Sequence, residues 1–289
     1  MEAENSSRTR GAVLVTGSST GIGKACALHL NQLGFKVFAG VRKVSDGQAL
    51  QVEAPGLRPI MIDVTDPDTI KTALSEIGKE VGPAGLHGLV NNAGIVVVGP
   101  VETLALDDIR KQFDVNVLGQ LAVTQAFLPL IREAKGRVVI MGSIFGLLSC
   151  PHVGVYAASK FALEALADAM RVELAPWGIK VSIVEPGRMA TSIWSKAFEA
   201  MDNWKHDGNE IHELYAPHLS AAVKKAIYFA RTSASPDSVA RAVGHALIAR
   251  WPKTRYRVGL DVRFWAPIRR MAPDRISDWA IRLMLRIGR

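Results

Sequence analysis

The chain has 289 residues, 48% of them hydrophobic, enough for one large domain around a sizeable core. Its two cysteines, Cys26 and Cys150, give no disulfide framework, so a reducing, cytoplasmic setting is expected, and no run of roughly 18 uncharged apolar residues exists to cross a membrane. The net charge of +8 is concentrated in residues 241–289, where twelve Lys/Arg stand against three acids; this stretch holds no recognisable nucleic-acid module, which argues against nucleic acid as a partner.

Residues 1–10, MEAENSSRTR, are polar, lack the apolar core of a signal peptide and read as a flexible tail. Residues 11–16 (GAVLVT) are the first predicted strand. GSSTGIG follows, then KACALHLNQLG, a helix with Ala25, Leu28 and Leu33 inward and Gly34 as C-cap. Strand, glycine loop and helix in that order are what a dinucleotide site needs. Gly17, Gly21 and Gly23 let the backbone turn tightly and approach a pyrophosphate, and the helix N-terminus offers free N–H groups to the anion. A plain strand-to-helix turn is the alternative, and three glycines in one loop are hard to explain by turn geometry alone.

Residues 35–41 (FKVFAGV) read as the second strand. Where NAD-binding chains place an acid toward the adenosine ribose stand Val41, Arg42 and Lys43; an arginine there suits a 2′-phosphate, against the alternative of a solvated charge pair. LRPIMIDVTD is a third strand ending in Asp63, and GLHGLVNNAG a fourth, ending in Asn91, Asn92 and Gly94. Helical stretches separate the strands, and βαβα alternation argues for a parallel sheet covered on both faces. Residues 107–132 form a long helical segment with Asn116 inside it, a residue unfavourable in a helix interior that either faces solvent or bends the helix.

GRVVIMGS reads as a buried strand ending in Ser143, and residues 179–185 (IKVSIVE) as another. Between them lie Tyr156 and Lys160, four residues apart at the start of a helix on which Phe161, Leu163, Leu166, Ala167, Met170 and Leu174 fall near one side. An ammonium beside a phenol favours the phenolate and lowers its pKa from about 10, so this tyrosine is expected to exchange a proton with a substrate oxygen. Ser143 would orient the same oxygen. Tyr-x-x-x-Lys alone is common on surface helices, so the pair gains weight only from the other pieces.

TGSSTGIG at 16–23, Asp63, NNAG at 91–94, Asn116, Ser143, YAASK at 156–160 and PGRMAT at 186–191 together resemble, in order, the short-chain dehydrogenase/reductase family over roughly residues 11–191. VYAASKFALEAL and VFAGVRK are similar to the branch that holds 17-beta-hydroxysteroid and retinol dehydrogenases. The resemblance implies a three-layer, doubly wound α/β Rossmann fold with a parallel sheet of about seven strands, a single catalytic domain over residues 11–260. It implies Tyr156 as acid/base, Lys160 lowering its pKa and holding the nicotinamide ribose, Ser143 positioning the substrate oxygen, and Asn116 helping to hold a water beside Lys160. The cofactor would be NADP(H), with NAD(H) as the weaker alternative. It would lie against Gly17, Ser18, Ser19, Thr20, Gly21, Ile22 and Gly23 at the pyrophosphate, and Asp63 and Val64 at the adenine. Asn91, Asn92, Ala93 and Gly94 would take the adenosine side, and Pro186, Gly187 and Thr191 the nicotinamide end. A homodimer or homotetramer is also implied.

Leu147, Leu148, Cys150, Val153 and Met189 flank the catalytic residues and promise an apolar cleft. Residues 188–235 are expected to act as a lid, with Trp194, Phe198, Trp204 and Tyr215 over the cleft, against ordinary packing of two helices on the sheet edge. The spacing of His206, His212 and His218 does not put them on one helix face, so no metal is expected. Ser235 reads as an N-cap with Pro236 at the first helical position, and residues 255–259 as the last strand. Residues 261–289 form a basic amphipathic tail: Ile276, Trp279, Ala280, Leu283 and Ile287 share one face, with Arg275, Arg282, Arg286 and Arg289 beside it and Arg263, Phe264, Trp265, Arg269 and Arg270 upstream. Peripheral contact with a membrane surface is one reading of this tail, and a helix docked on its own domain is the other. The sequence thus predicts an NADP(H)-dependent oxidoreductase interconverting a secondary alcohol and a ketone on a steroid-, retinoid- or lipid-like substrate. Its alternative is a non-catalytic dinucleotide-binding sensor or scaffold on the same fold.

Overall fold

Four consecutive buried residues, Ala12–Val15, make strand β1, the centre of the fold. Successive side chains in a strand point to opposite faces. Ala12 and Leu14 therefore enter one apolar layer and Val13 and Val15 the other, which is why the run is apolar throughout instead of alternating. The structure is a computed structural model that describes residues 10–189, 211, 213–215, 234–262 and 272–285. The expected tail at residues 1–9, Thr191, the lid residues Trp194, Phe198 and Trp204, the three histidines 206, 212 and 218, and residues 263–271 and 286–289 lie outside the described residues.

Around β1 stand β2 (Lys36–Val41), β3 (Arg58–Met61), β4 (Gly88–Asn91), β5 (Arg137–Met141), β6 (Lys180–Pro186) and β7 (Arg255–Val258). All pair in parallel, in the order β3-β2-β1-β4-β5-β6-β7. The chain winds outward from β1 to β3, then returns to the other side of β1 and winds outward again. The strand order reverses between β1 and β4, and ligands of such sheets bind outside the carboxyl ends of the strands at that point. Thr16 and Asn92, which follow these two strands, mark the place.

Helices α1 (Gly21–Gln32) and α7 (Pro236–Ile248) cover one face, with Cys26, Ala27, Leu30, Val239, Val243 and Ala246 in the core. The innermost face of α1 is thus Cys26, Ala27 and Leu30, not the expected Ala25, Leu28 and Leu33, which are half-buried. The helix is shared between the sheet and α7, and Leu33 and His29 lie against Gly244 of α7. Ser235 caps α7, accepting from Asp237 N at 3.2 Å, with Pro236 behind it as expected. Short α2 (Val44–Glu53) follows β2.

On the other face lie α3 (Pro67–Val81), α4 (Leu106–Phe113), α5 (Gly119–Glu133) and α6 (Gly154–Glu173). Between α4 and α5 the backbone makes one π turn, Asp114–Leu118, with Asn116 inside it. The continuous helical stretch Leu106–Glu133 is long and apolar enough by composition to pass for a membrane span. Val123, Phe127 and Ile131 nonetheless pack into the core of the sheet face. On α6, Leu163 and Ala167 are buried as predicted, but Phe161 is exposed, because the sheet-facing stripe is narrower than the periodicity suggested. A last helix, α8 (Asp274–Leu285), lies against the mouth of the central cleft.

Candidate active site

A cleft of about 1690 Å³ runs along the carboxyl ends of the strands, from the glycine loop past Arg42 and Asp63 to Ser143 and Tyr156. Single-ligand pockets are usually ~300–1,000 Å³, so this one has room for a dinucleotide and a second molecule side by side.

At the loop, Gly17 sits at φ +66°, where a side chain is strained. Thr20 is the N-cap of α1 but its side chain makes no capping hydrogen bond, so the first N–H groups of the helix are left for an anion. Thr16 ties the loop to β4: its Oγ1 accepts from Asn92 N and Ala93 N, each at 3.0 Å, while Asn92 Nδ2 donates to Thr16 O at 2.9 Å and Gly17 O at 3.1 Å. These residues fit a dinucleotide. Ser19, Thr20, Gly21, Ile22, Gly23, Arg42, Lys43, Asp63, Val64, Asn92, Ala93, Gly94, Pro186 and Gly187 all line the cleft.

Three predicted contacts stand behind the wall instead. Ser18 is buried and donates to Val15 O at 2.8 Å. Asn91 donates to Thr124 Oγ1 at 2.6 Å, pinning α5. Asn116 is fully buried; its Oδ1 accepts from Ile95 N at 2.8 Å, and its Nδ2 donates to Ile95 O at 3.0 Å and Ser159 Oγ at 3.1 Å. Both amide protons are used, so the side chain splints the segment after NNAG to α6.

At the other end, Ser143 follows β5, and Tyr156 and Lys160 occupy the first turns of α6. The Ser143 hydroxyl hydrogen-bonds to the Tyr156 phenol. Lys160 Nζ donates to Met141 O at 2.7 Å and lies 5.8 Å from the Tyr156 ring centroid. Burial pushes the Tyr156 phenol up to about 12, with the Ser143 hydrogen bond pulling the other way. Burial also pushes Lys160 down to about 8, against the carboxylate of Glu164. The direction is the opposite of the lowered tyrosine pKa expected from sequence: the loss of solvation outweighs the Ser143 hydrogen bond.

Ile144, Phe145, Leu148, Cys150 and Met189 give the cleft an apolar wall, while Leu147 and Val153 stay off it. Cys150 is pushed up to about 11 by burial, and Cys26 to about 12, so neither is a nucleophile at neutral pH. Tyr215, expected in the lid, instead donates to Glu102 Oε2 at 2.6 Å and meets His152 edge-on at 6.5 Å.

The geometry and the sequence agree with one family. Residues 11–202 match the family model for short chain dehydrogenase. The chain belongs to the short-chain dehydrogenase/reductase family. Over 92% of its length it is 36% identical to mouse (Mus musculus) retinol dehydrogenase 5, covering 86% of that protein. It is 35% identical to an NADPH-dependent 3-dehydrocapnine reductase of Ornithobacterium rhinotracheale, covering 92% of this chain and 94% of the other. Among solved structures, a short-chain dehydrogenase from Streptomyces avermitilis superposes with a TM-score of 0.76 at 29% identity, over 94% of this chain and 95% of that one. This short-chain dehydrogenase/reductase resembles the retinol dehydrogenase branch, as VFAGVRK and VYAASKFALEAL suggested.

Residues that the sequence reading missed hold the site from behind. Gln112, fully buried, accepts from Val97 N at 2.6 Å and donates to Ile95 O at 2.8 Å. Gln120 donates to Ala93 O at 3.0 Å. Asp261 accepts from Arg188 N at 2.9 Å and packs on Gly187, fixing the PGR turn. A polar residue recurring at helical spacing next to Asn116 was the available signal for the two glutamines; Asp261 left none.

Proposed function

We propose that the enzyme uses NADP(H) in preference to NAD(H) and interconverts a secondary alcohol and a ketone on an apolar, steroid-, retinoid- or lipid-like substrate. The observation that carries this reading is one cleft joining the glycine loop to Ser143, Tyr156 and Lys160 behind an apolar wall. The nicotinamide cofactor would supply or accept the hydride. The residues manage position and the proton. In reduction Tyr156 donates its proton to the ketone oxygen, Ser143 orients that oxygen, and the Lys160 ammonium stabilises the phenolate left behind. A phenol raised to about 12 is protonated through the neutral range, the form that donates.

Arg42 and Lys43 support the cofactor preference. Both line the cleft beyond β2, and among the described residues neither forms an ion pair. Val41 puts no acid in the way. The similar reductase described as NADPH-dependent adds weight. The test is NADPH or NADH oxidation with a panel of steroid, retinoid and alkyl ketones beside sugars. NADPH with an apolar ketone should give the highest kcat/KM, and Arg42→Asp should move the preference toward NADH. Equal efficiency with both cofactors, or a sugar as the best substrate, would refute the respective half of the reading.

The tail reading is also a proposal. Helix α8 turns Ile276, Ser277, Ala280 and Ile281 toward the cleft, Ile276 at its exposed rim, and leaves Trp279 and Leu283 largely exposed away from it. The expected single apolar face is thus split: Ile276 and Ala280 belong to the cleft, and the outward Trp279 and Leu283 have Arg275 and Arg282 beside them. Asp274 and Asp278 offset these two arginines, so the positive excess resides in residues 263–271 and 286–289. Each basic group near an anionic leaflet contributes about 1 kcal/mol. Salt-sensitive flotation with anionic liposomes is expected for the whole chain and lost on truncation after Val262; equal behaviour of the two would leave α8 a cleft wall only. Homodimer or homotetramer formation, which would cover exposed Leu118 and Phe161, is checked by sedimentation equilibrium.

A further inference from the structure

Tyr156 and Lys160 are the first two members of a longer row. Glu164 and Asp168 continue it at the same four-residue interval along α6, so all four share one face of the helix. Glu164 is 8% exposed, on a helix face where a carboxylate would ordinarily be solvated. Its Oε2 accepts from Arg255 Nε at 3.3 Å, and its Oε1 is buried with no hydrogen-bond donor. Gly146 makes the room: a Cβ there would stand 3.2 Å from Glu164 Oε1 and 3.1 Å from Lys160 O. Arg255 comes from β7 and also holds Asp168 with two hydrogen bonds of 2.8 Å, and it lies 3.4 Å from Glu185, which is fully buried on β6. Arg257 pairs with Glu185 at 3.2 Å, and Arg171 with Asp168 at 2.8 Å. A buried carboxylate that has one cation on its far side and an unshared oxygen is costly unless a second charge makes use of it.

We propose that Glu164 is a positioning residue for the proton transfer at Tyr156: its carboxylate, one helical turn from Lys160, holds that side chain in the ammonium form, and Arg255 holds the carboxylate. This rests on the reading of Tyr156 as the acid/base. The charged groups around Glu164 are Lys160 and Asp168 on its own helix, Glu185 on β6 and Arg255 on β7; Glu185, Arg255 and Asp168 shift Glu164 itself, and Glu164 in turn shifts Lys160. Burial and Glu185 push Glu164 up to about 7 while Arg255 pulls it down. Lys160, pushed down to about 8 by burial, is raised by Glu164. The signs fit. Below pH 7 Glu164 is protonated and Lys160 is charged without help. Above pH 7 the carboxylate is ionised, and it is there that Lys160 would otherwise lose its proton.

Glu164→Gln keeps the shape and removes the charge. Titration of Lys160 Nζ in lysine-labelled, full-length protein by NMR should then show a midpoint lower by at least about one pH unit, the equivalent of tenfold in protonation. Glu164→Asp, which keeps the charge, should stay nearer the native midpoint. This readout needs no turnover, so it stands or falls apart from the dehydrogenase reading. With NADPH and the best ketone of the panel, the Gln variant should match the native rate at pH 6 and lose activity at lower pH than the native enzyme on the alkaline side. A purely structural role would lower the rate equally at every pH. An unshifted Lys160 midpoint in folded Glu164→Gln, or a pH-independent loss of rate, overturns the proposal.

Discussion

Tyr156→Phe should abolish nearly all turnover, by at least the ~10²–10⁴-fold that general acid–base catalysis supplies, while leaving NADPH affinity essentially unchanged. The ring's packing survives the change, since Phe145 meets it edge-on at 6.0 Å. What is lost is the hydroxyl bonded to Ser143, at the apolar half of the cleft, where the proposed reading has it hand a proton to a substrate oxygen. Steady-state kinetics beside an NADPH binding isotherm separates the two effects, and a Phe variant that kept most of its activity would remove Tyr156 from the mechanism. Lys160→Ala should damage both quantities, because the side chain faces the cleft and also donates to Met141 O. The pH profile follows from the same groups. Tyr156, up at about 12, does not titrate between pH 6 and 9, so the alkaline fall in ketone reduction should track Lys160, near 8.

The fold was legible because the inner strands are buried on both faces. Runs such as AVLV and RVVIM can only be interior, and each leads into a residue of the cleft: Gly17 after β1, Ser143 after β5. The Tyr156–Lys160 interval carried its own geometry. The rest depended on tertiary partners. Phe161 fits the apolar period of α6 yet is exposed, and Glu164 breaks that period yet is buried, because β7 brings Arg255 to it from 91 residues away. Asn116 signalled an irregular helix but not its form; a π turn is a backbone event that no side-chain pattern announces. The tyrosine pKa went the other way for a related reason. Sequence spacing shows the neighbouring ammonium, whereas the larger effect, loss of solvent, belongs to the assembled cleft.

Gly23→Ala should be the most damaging small substitution in the loop, and for a reason confined to the backbone. A Cβ at Gly23 would fall within contact distance of the Gly17 carbonyl oxygen and of Asn92 Nδ2. Neither can retreat cheaply. Gly17 O is main chain at a left-handed turn, and Asn92 Nδ2 is already committed to Thr16 O and Gly17 O. Overpacking of this kind costs ~1–3 kcal/mol, of which the better helix propensity of alanine returns ~0.8–1 kcal/mol. The remainder is spent in moving the loop away from α1, so the free N–H groups at the helix start no longer converge with the turn at Gly17. NADPH affinity should fall by at least about tenfold, some 1.4 kcal/mol, with a lowered Tm. Gly78→Ala, in the last turn of α3, is the control: its Cβ would meet only Leu130 Cδ1 at 3.9 Å, an ordinary contact. That variant should bind NADPH normally and melt no lower than the native chain. If Gly23→Ala bound the cofactor as tightly as Gly78→Ala, close backbone approach would not be why the loop carries a glycine there.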